Sequence, residues 1–139
     1  MTFNLRKMKK YYFPLVLISV AFVYSFTYNQ PKPWVVPDKY AKMANPVESD
    51  AECLKTAKSL WAKHCQSCHG KTGKGDGTKA GQLDTPMEDF TSGEVQKQTD
   101  GALFFKTLEG RDEMPSFKKK IPDEEEIWTL INFIRTLKP

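Results

Sequence analysis

An all-α domain follows from three features of this 139-residue chain. Apolar residues recur at helical spacing in one long segment near the middle and another at the end. Each segment opens on side chains that cap helices. No stretch alternates apolar and polar residues for long enough to make a strand. The first helix is expected from Ser49, where Ser49-Asp50-Ala51-Glu52 forms a capping box. Leu54, Ala57, Leu60 and Trp61 then mark one face, and the helix should run to about His64. Gly70, Gly73, Gly75, Gly77 and Gly81 follow in a loop whose backbone can turn tightly. A short helix is expected over Asp100–Leu108, capped by Thr99, with Leu103, Phe104 and Leu108 inward. The last opens at Asp123, after Pro122. Glu124, Glu125 and Glu126 place negative charge at its start, and Ile127, Leu130, Ile131, Phe133, Ile134 and Leu137 give a broad apolar face.

The chain divides into four parts. Residues 1–10 are a basic flank with Arg6, Lys7, Lys9 and Lys10. Residues 11–28 are apolar, and as a helix they would span roughly 27 Å, close to the ~30 Å hydrocarbon core of a bilayer. Residues 29–48 read as a tether punctuated by Pro31, Pro33, Pro37 and Pro46. Residues 49–139 are the domain. The positive flank orients the N-terminus toward the cytoplasm, so the domain is expected on the outer, periplasmic side of the inner membrane. A cleaved signal peptide is the competing reading. Ser25-Phe26-Thr27 is a weak cleavage site, and no Cys follows to carry a lipid.

The net charge of +4 is unevenly placed. Residues 1–44 hold seven Lys/Arg against Asp38 alone, and the other 95 residues hold 14 basic and 16 acidic groups. The basic excess belongs to the anchor and tether, so it does not speak for nucleic acid as a partner.

Chemistry concentrates in Cys65-Gln66-Ser67-Cys68-His69, the spacing of covalent c-type haem attachment. Positions i, i+3 and i+4 of a helix share a face, so two thiols and an imidazole point the same way. The thiols suit two haem vinyl groups and the imidazole suits the iron. Met opposite His raises the reduction potential of a haem. Met114, followed by Pro115, is the best candidate for that second ligand. Met87 is the rival, only 18 residues past His69, on a loop judged too short to cross to the other face. A zinc site from His64, Cys65, Cys68 and His69 is an alternative, but structural zinc usually draws on two separated clusters, and the only other Cys is Cys53. Redox dithiol chemistry needs a strand before the motif, which is absent. Cys53 reads as a small buried or half-buried thiol, with a disulfide to a second copy as the alternative in an oxidising compartment.

Cys65-Gln66-Ser67-Cys68-His69-Gly70, then Gly73, Gly75, Asp76 and Gly77, then Met114-Pro115, resembles a class I (mitochondrial-like) monohaem cytochrome c of the bacterial membrane-anchored type. The resemblance covers roughly Asn45 to Pro139. Thr78 stands where many relatives carry Pro. The resemblance implies a small cytochrome c fold around one covalently bound haem c, with Cys65 and Cys68 holding the porphyrin and His69 and Met114 as axial ligands. It also implies a close crossing of first and last helices, at Ala57 and Phe133. Arg111 is a candidate partner for a haem propionate, since Arg suits carboxylates geometrically. Two axial ligands leave no open coordination position, so an electron carrier is expected and not an enzyme. Redox partners would be a quinol-oxidising complex and a terminal oxidase or reductase. Lys118, Lys119 and Lys120 are candidates for steering them. The alternative is a fixed monohaem subunit of a larger membrane respiratory complex. A gas-sensing or peroxidase-like protein would need an open distal site.

Overall fold

The computed structural model describes residues 33–138. The basic flank, the apolar run 11–28 and the opening of the Pro-rich stretch lie outside the described residues. Among the described residues no helix is long and apolar enough to cross a membrane. They form α1 (Asp38–Ala41), α2 (Ala51–His64), α3 (Gln66–His69), a 3₁₀ turn (Ala80–Gln82), α4 (Gly93–Gln96), α5 (Asp100–Glu109) and α6 (Glu124–Thr136). The described residues contain no strand, and an isolated bridge pairs Arg111 with Met114. The all-α expectation holds for them.

The three long helices fall where capping and periodicity put them. Thr99 caps α5 by accepting the Ala102 N–H at 3.2 Å, and Asp123 caps α6 by accepting from Glu125 at 2.9 Å. One cap differs from expectation. Asp50, not Ser49, accepts the Cys53 N–H at 2.7 Å, and α2 starts at Ala51. A carboxylate there satisfies a free donor and also opposes the positive helix end.

α2 and α6 make the main crossing. Ala57 is 0% exposed and Trp61 2%. The Phe133 ring lies 5.2 Å from that of Trp61, one turn on from Ala57. A small residue at Ala57 lets the two helices approach closely. On the other side of α6, Trp128 stacks on Phe104 of α5 at 4.1 Å and 9°. Arg135 fastens the end of α6 to the start of α5. Its Nε donates to Asp100 Oδ1 at 2.7 Å and its Nη1 to the Gln96 carbonyl at 2.9 Å.

The domain begins earlier than Ser49, for its compact unit starts at Val36. Much of the expected tether is therefore part of it. The Tyr40 ring lies 4.8 Å from Phe105 and 6.3 Å from Phe104. Asn45 Nδ2 donates to the Trp128 carbonyl and to Asn132 Oδ1, both at 3.0 Å. Asn132 Nδ2 in turn donates to the Val47 carbonyl at 3.0 Å. Proline spacing signals an extended path, and it carries no information about these long-range bonds.

Gly101 marks how closely this segment lies on α5. A Cβ there would collide with the Tyr40 carbonyl oxygen and come 2.9 Å from that of Met43. Gly101→Ala should therefore destabilise the protein. The clash costs about 1–3 kcal/mol, against at most ~1 kcal/mol gained from helix propensity. Urea unfolding of wild type and variant checks the sign.

Candidate functional site

The site grows out of the end of α2. Cys65 N–H donates to the Trp61 carbonyl at 2.9 Å, and His69 N–H donates to the Cys65 carbonyl at 2.9 Å. Helical bonding thus carries α2 into α3, and the shared face expected of Cys65, Cys68 and His69 is preserved. All three line one cleft, with Met114. Its empty space is about 610 Å³, the open solvent of its mouth included. The apolar walls include Trp61, Leu83, Phe90, Phe117, Leu130 and Ile134.

His69 is held by aromatic rings. It stacks on Phe90 at 4.6 Å and 21°, and its centroid lies 6.0 Å from Trp61. Burial holds its pKa below the usual histidine range, which favours the neutral imidazole. Its Nδ1 is buried without a hydrogen-bond partner, an orphaned polar atom on a residue that lines the cleft. Trp61 Nε1 donates to the Gly70 carbonyl at 3.0 Å, which fixes where the chain turns after His69. Burial, and then the neighbouring Cys68, push the Cys65 thiol up to about 12. Among the described residues, no group of three or more His, Cys, Asp or Glu side chains converges on a metal position. The zinc alternative therefore has no geometric support there.

The glycine loop is stitched to this turn by its backbone. Gly75 N–H donates to the His69 carbonyl at 2.9 Å, Gly77 N–H to Cys68 at 3.2 Å, and Lys79 N–H to Ser67 at 2.8 Å. These bonds hold the loop on either side of Thr78. Gly77 has no room for a side chain. A Cβ would meet the Ser67 carbonyl oxygen and lie 2.6 Å from the Cys68 carbonyl carbon.

Met114 comes from the turn after α5. Arg111 and Met114 exchange backbone hydrogen bonds, both 2.9 Å. Ser116 Oγ donates to the Leu108 carbonyl at 2.8 Å and Phe117 N–H to the same carbonyl at 3.2 Å. Met87 also lines the cleft. It lies against Gly75, where a Cβ would stand 2.8 Å from the Met87 Cβ. The Arg111 side chain is not in the lining, and its Nε pairs with Asp112 at 3.3 Å. Lys118 pairs with Glu109 at 2.6 Å, and Lys120 sits 5.5 Å from the Phe117 ring. Cys53 is a half-buried free thiol that accepts from Asn132 Nδ2 at 3.4 Å. Sequence reasoning missed Phe90, Phe117 and Glu113, three cleft residues on irregular segments without periodicity. An aromatic beside glycines and turn formers was the one signal available for the first two.

The fold and site are those of a c-type cytochrome, and comparison agrees. A family model described as cytochrome c oxidase, cbb3-type, subunit III matches residues 53–134. The chain belongs to that family. No curated protein matches it. Among solved structures it is similar to a chain of the Kuenenia stuttgartiensis reducing HAO-like protein complex, with 24% identity and a TM-score of 0.62. The match covers 83% of this chain and 54% of that one, so this chain spans about half its length, and the likeness is one of fold.

The cleft fits the family's cofactor: two thiols on one face, a neutral imidazole, an apolar wall and a glycine loop held by backbone bonds. The protein is a monohaem c-type cytochrome and its cofactor is covalently bound haem c. Gly77→Ala should lower the yield of covalently pigmented protein several-fold, by pushing the loop off the attachment turn. Gly81→Ala, where a Cβ meets nothing within 4 Å, should not. Haem staining of denaturing gels from an export-competent host compares the two.

Proposed function

We propose that this chain is a membrane-tethered class I cytochrome c that shuttles one electron at a time between respiratory-chain components, and that it is not an enzyme. The observation that carries the reading is the convergence of Cys65, Cys68, His69 and Met114 on one apolar cleft from two distant parts of the chain. Cys65 and Cys68 would anchor the porphyrin through thioethers, and the His69 imidazole and Met114 Sδ would hold its iron. Bound there, haem supplies a single Fe(III)/Fe(II) couple.

Backbone connections favour Met114 over Met87. Met87 packs on Gly75, whose N–H is bonded to the His69 carbonyl, so it belongs to the segment that carries the imidazole. Met114 stands on a separate turn, braced by Arg111 and by the bonds to Leu108. With both axial positions filled by side chains, no site remains for a substrate, hence a carrier. A propionate contact from Arg111 would have to compete with Asp112. Lys118–Lys120 remain candidates for steering an acidic partner, with Lys118 already engaged by Glu109. The apolar run 11–28 behind a basic flank supports an inner-membrane anchor with the haem domain outside the cytoplasm.

A second reading, a fixed haem subunit of a respiratory complex, is favoured by the family's description as an oxidase subunit. Purification in mild detergent separates the two, since a shuttle comes off alone and a subunit brings its complex.

Met114→Ala should abolish the Met-to-iron charge-transfer band of the ferric protein. It should also lower the potential by on the order of 0.1 V, within the ~0.8 V that axial ligation controls. A native spectrum in that variant would mean another ligand. The full chain should stay with membranes in high salt and leave them in detergent. A chain lacking residues 1–30, exported by a secretion signal, should be soluble and pigmented.

A further inference from the structure

Glu113 lines the cleft beside Met114, and its carboxylate reaches across to a different wall. Oε2 accepts the Thr85 N–H at 2.8 Å and Oε1 accepts the Asp84 N–H at 3.2 Å. The acceptor and the two donors are 28 and 29 residues apart in sequence. Leu83 and Met87, on either side of those two donors, also line the cleft. One side chain therefore joins the Met114 turn to the loop that forms the facing edge. Neither donor has an internal turn to satisfy it, and a carboxylate taking two neighbouring backbone N–H groups makes a directional clamp.

We infer that Glu113 is a positioning residue for electron transfer: it latches the 83–87 loop to the Met114 turn and holds the thioether sulfur against exchange. The inference rests on Met114 being the axial ligand. When the latch is broken, the turn keeps its Arg111 bridge and its bonds to Leu108, so the fold survives. What is lost is the tie that stops the turn swinging outward. An incoming ligand then finds the iron more often.

The test uses full-length ferric holoprotein and imidazole as the probe, which replaces the Met114 sulfur on iron. Glu113→Ala should bind imidazole roughly three- to tenfold faster than wild type, the loss expected of two directional bonds on an exposed group. Glu113→Gln keeps one acceptor oxygen and should fall between them. Asp89→Ala removes a like charge that bonds only the nearby Thr91, and should match wild type. Equal rates in Glu113→Ala and wild type would overturn the latch. So would an equal acceleration in Asp89→Ala, which would reduce the effect to charge. Met114→Ala is measured alongside. If its spectrum matches wild type, the ligand assignment has failed, and the latch falls with it by a separate route.

Discussion

One buried hydrogen bond, from Trp61 Nε1 to the Gly70 carbonyl, ties the scaffold to the site. Trp61 sits on the α2 face that packs against Phe133 of α6, so its position is set by the main helix crossing. Its indole also faces His69 and Phe90. The crossing thereby dictates where the chain turns after the imidazole. A mobile Trp61 would leave the Gly70 carbonyl with only the long 3.4 Å bond from the Gly73 N–H, and His69 with only the Phe90 ring against it. Structure and site are in this sense one object.

Much of this was legible in the sequence, for an identifiable reason. α2, α5 and α6 each combine a cap with apolar residues at helical spacing, and both signals are local. The cysteines and His69 share a face because helix geometry alone puts them there. The Met114-Pro115 pair carries its signal through the family resemblance, and Met114 does line the same cleft. The parts that escaped are those made by distant partners. Asn45 and Asn132 lock the 38–47 segment to α6 across more than 80 residues, and neither lies in a pattern. Arg135 belongs to no sequence pattern, and its work is to bond Asp100 and Gln96. Glu113 reads as one more acid beside Asp112. The capping-box pattern points to Ser49, and the backbone geometry puts the cap at Asp50 instead.

The size of the domain bears on why haem is held covalently. A domain of about a hundred residues buries a modest core. Here the wall of the cleft is drawn from that same core: Trp61, Phe90, Phe117, Leu130 and Ile134 all belong to it. The cofactor's apolar face thus continues the packing of α2, α5 and α6, and holding the haem contributes to holding the helices. Two thioethers make that contribution permanent, because the porphyrin cannot be lost when the domain breathes. The Met114 turn, by contrast, is tied through Arg111, Ser116 and Glu113, by bonds that lie outside the helical core.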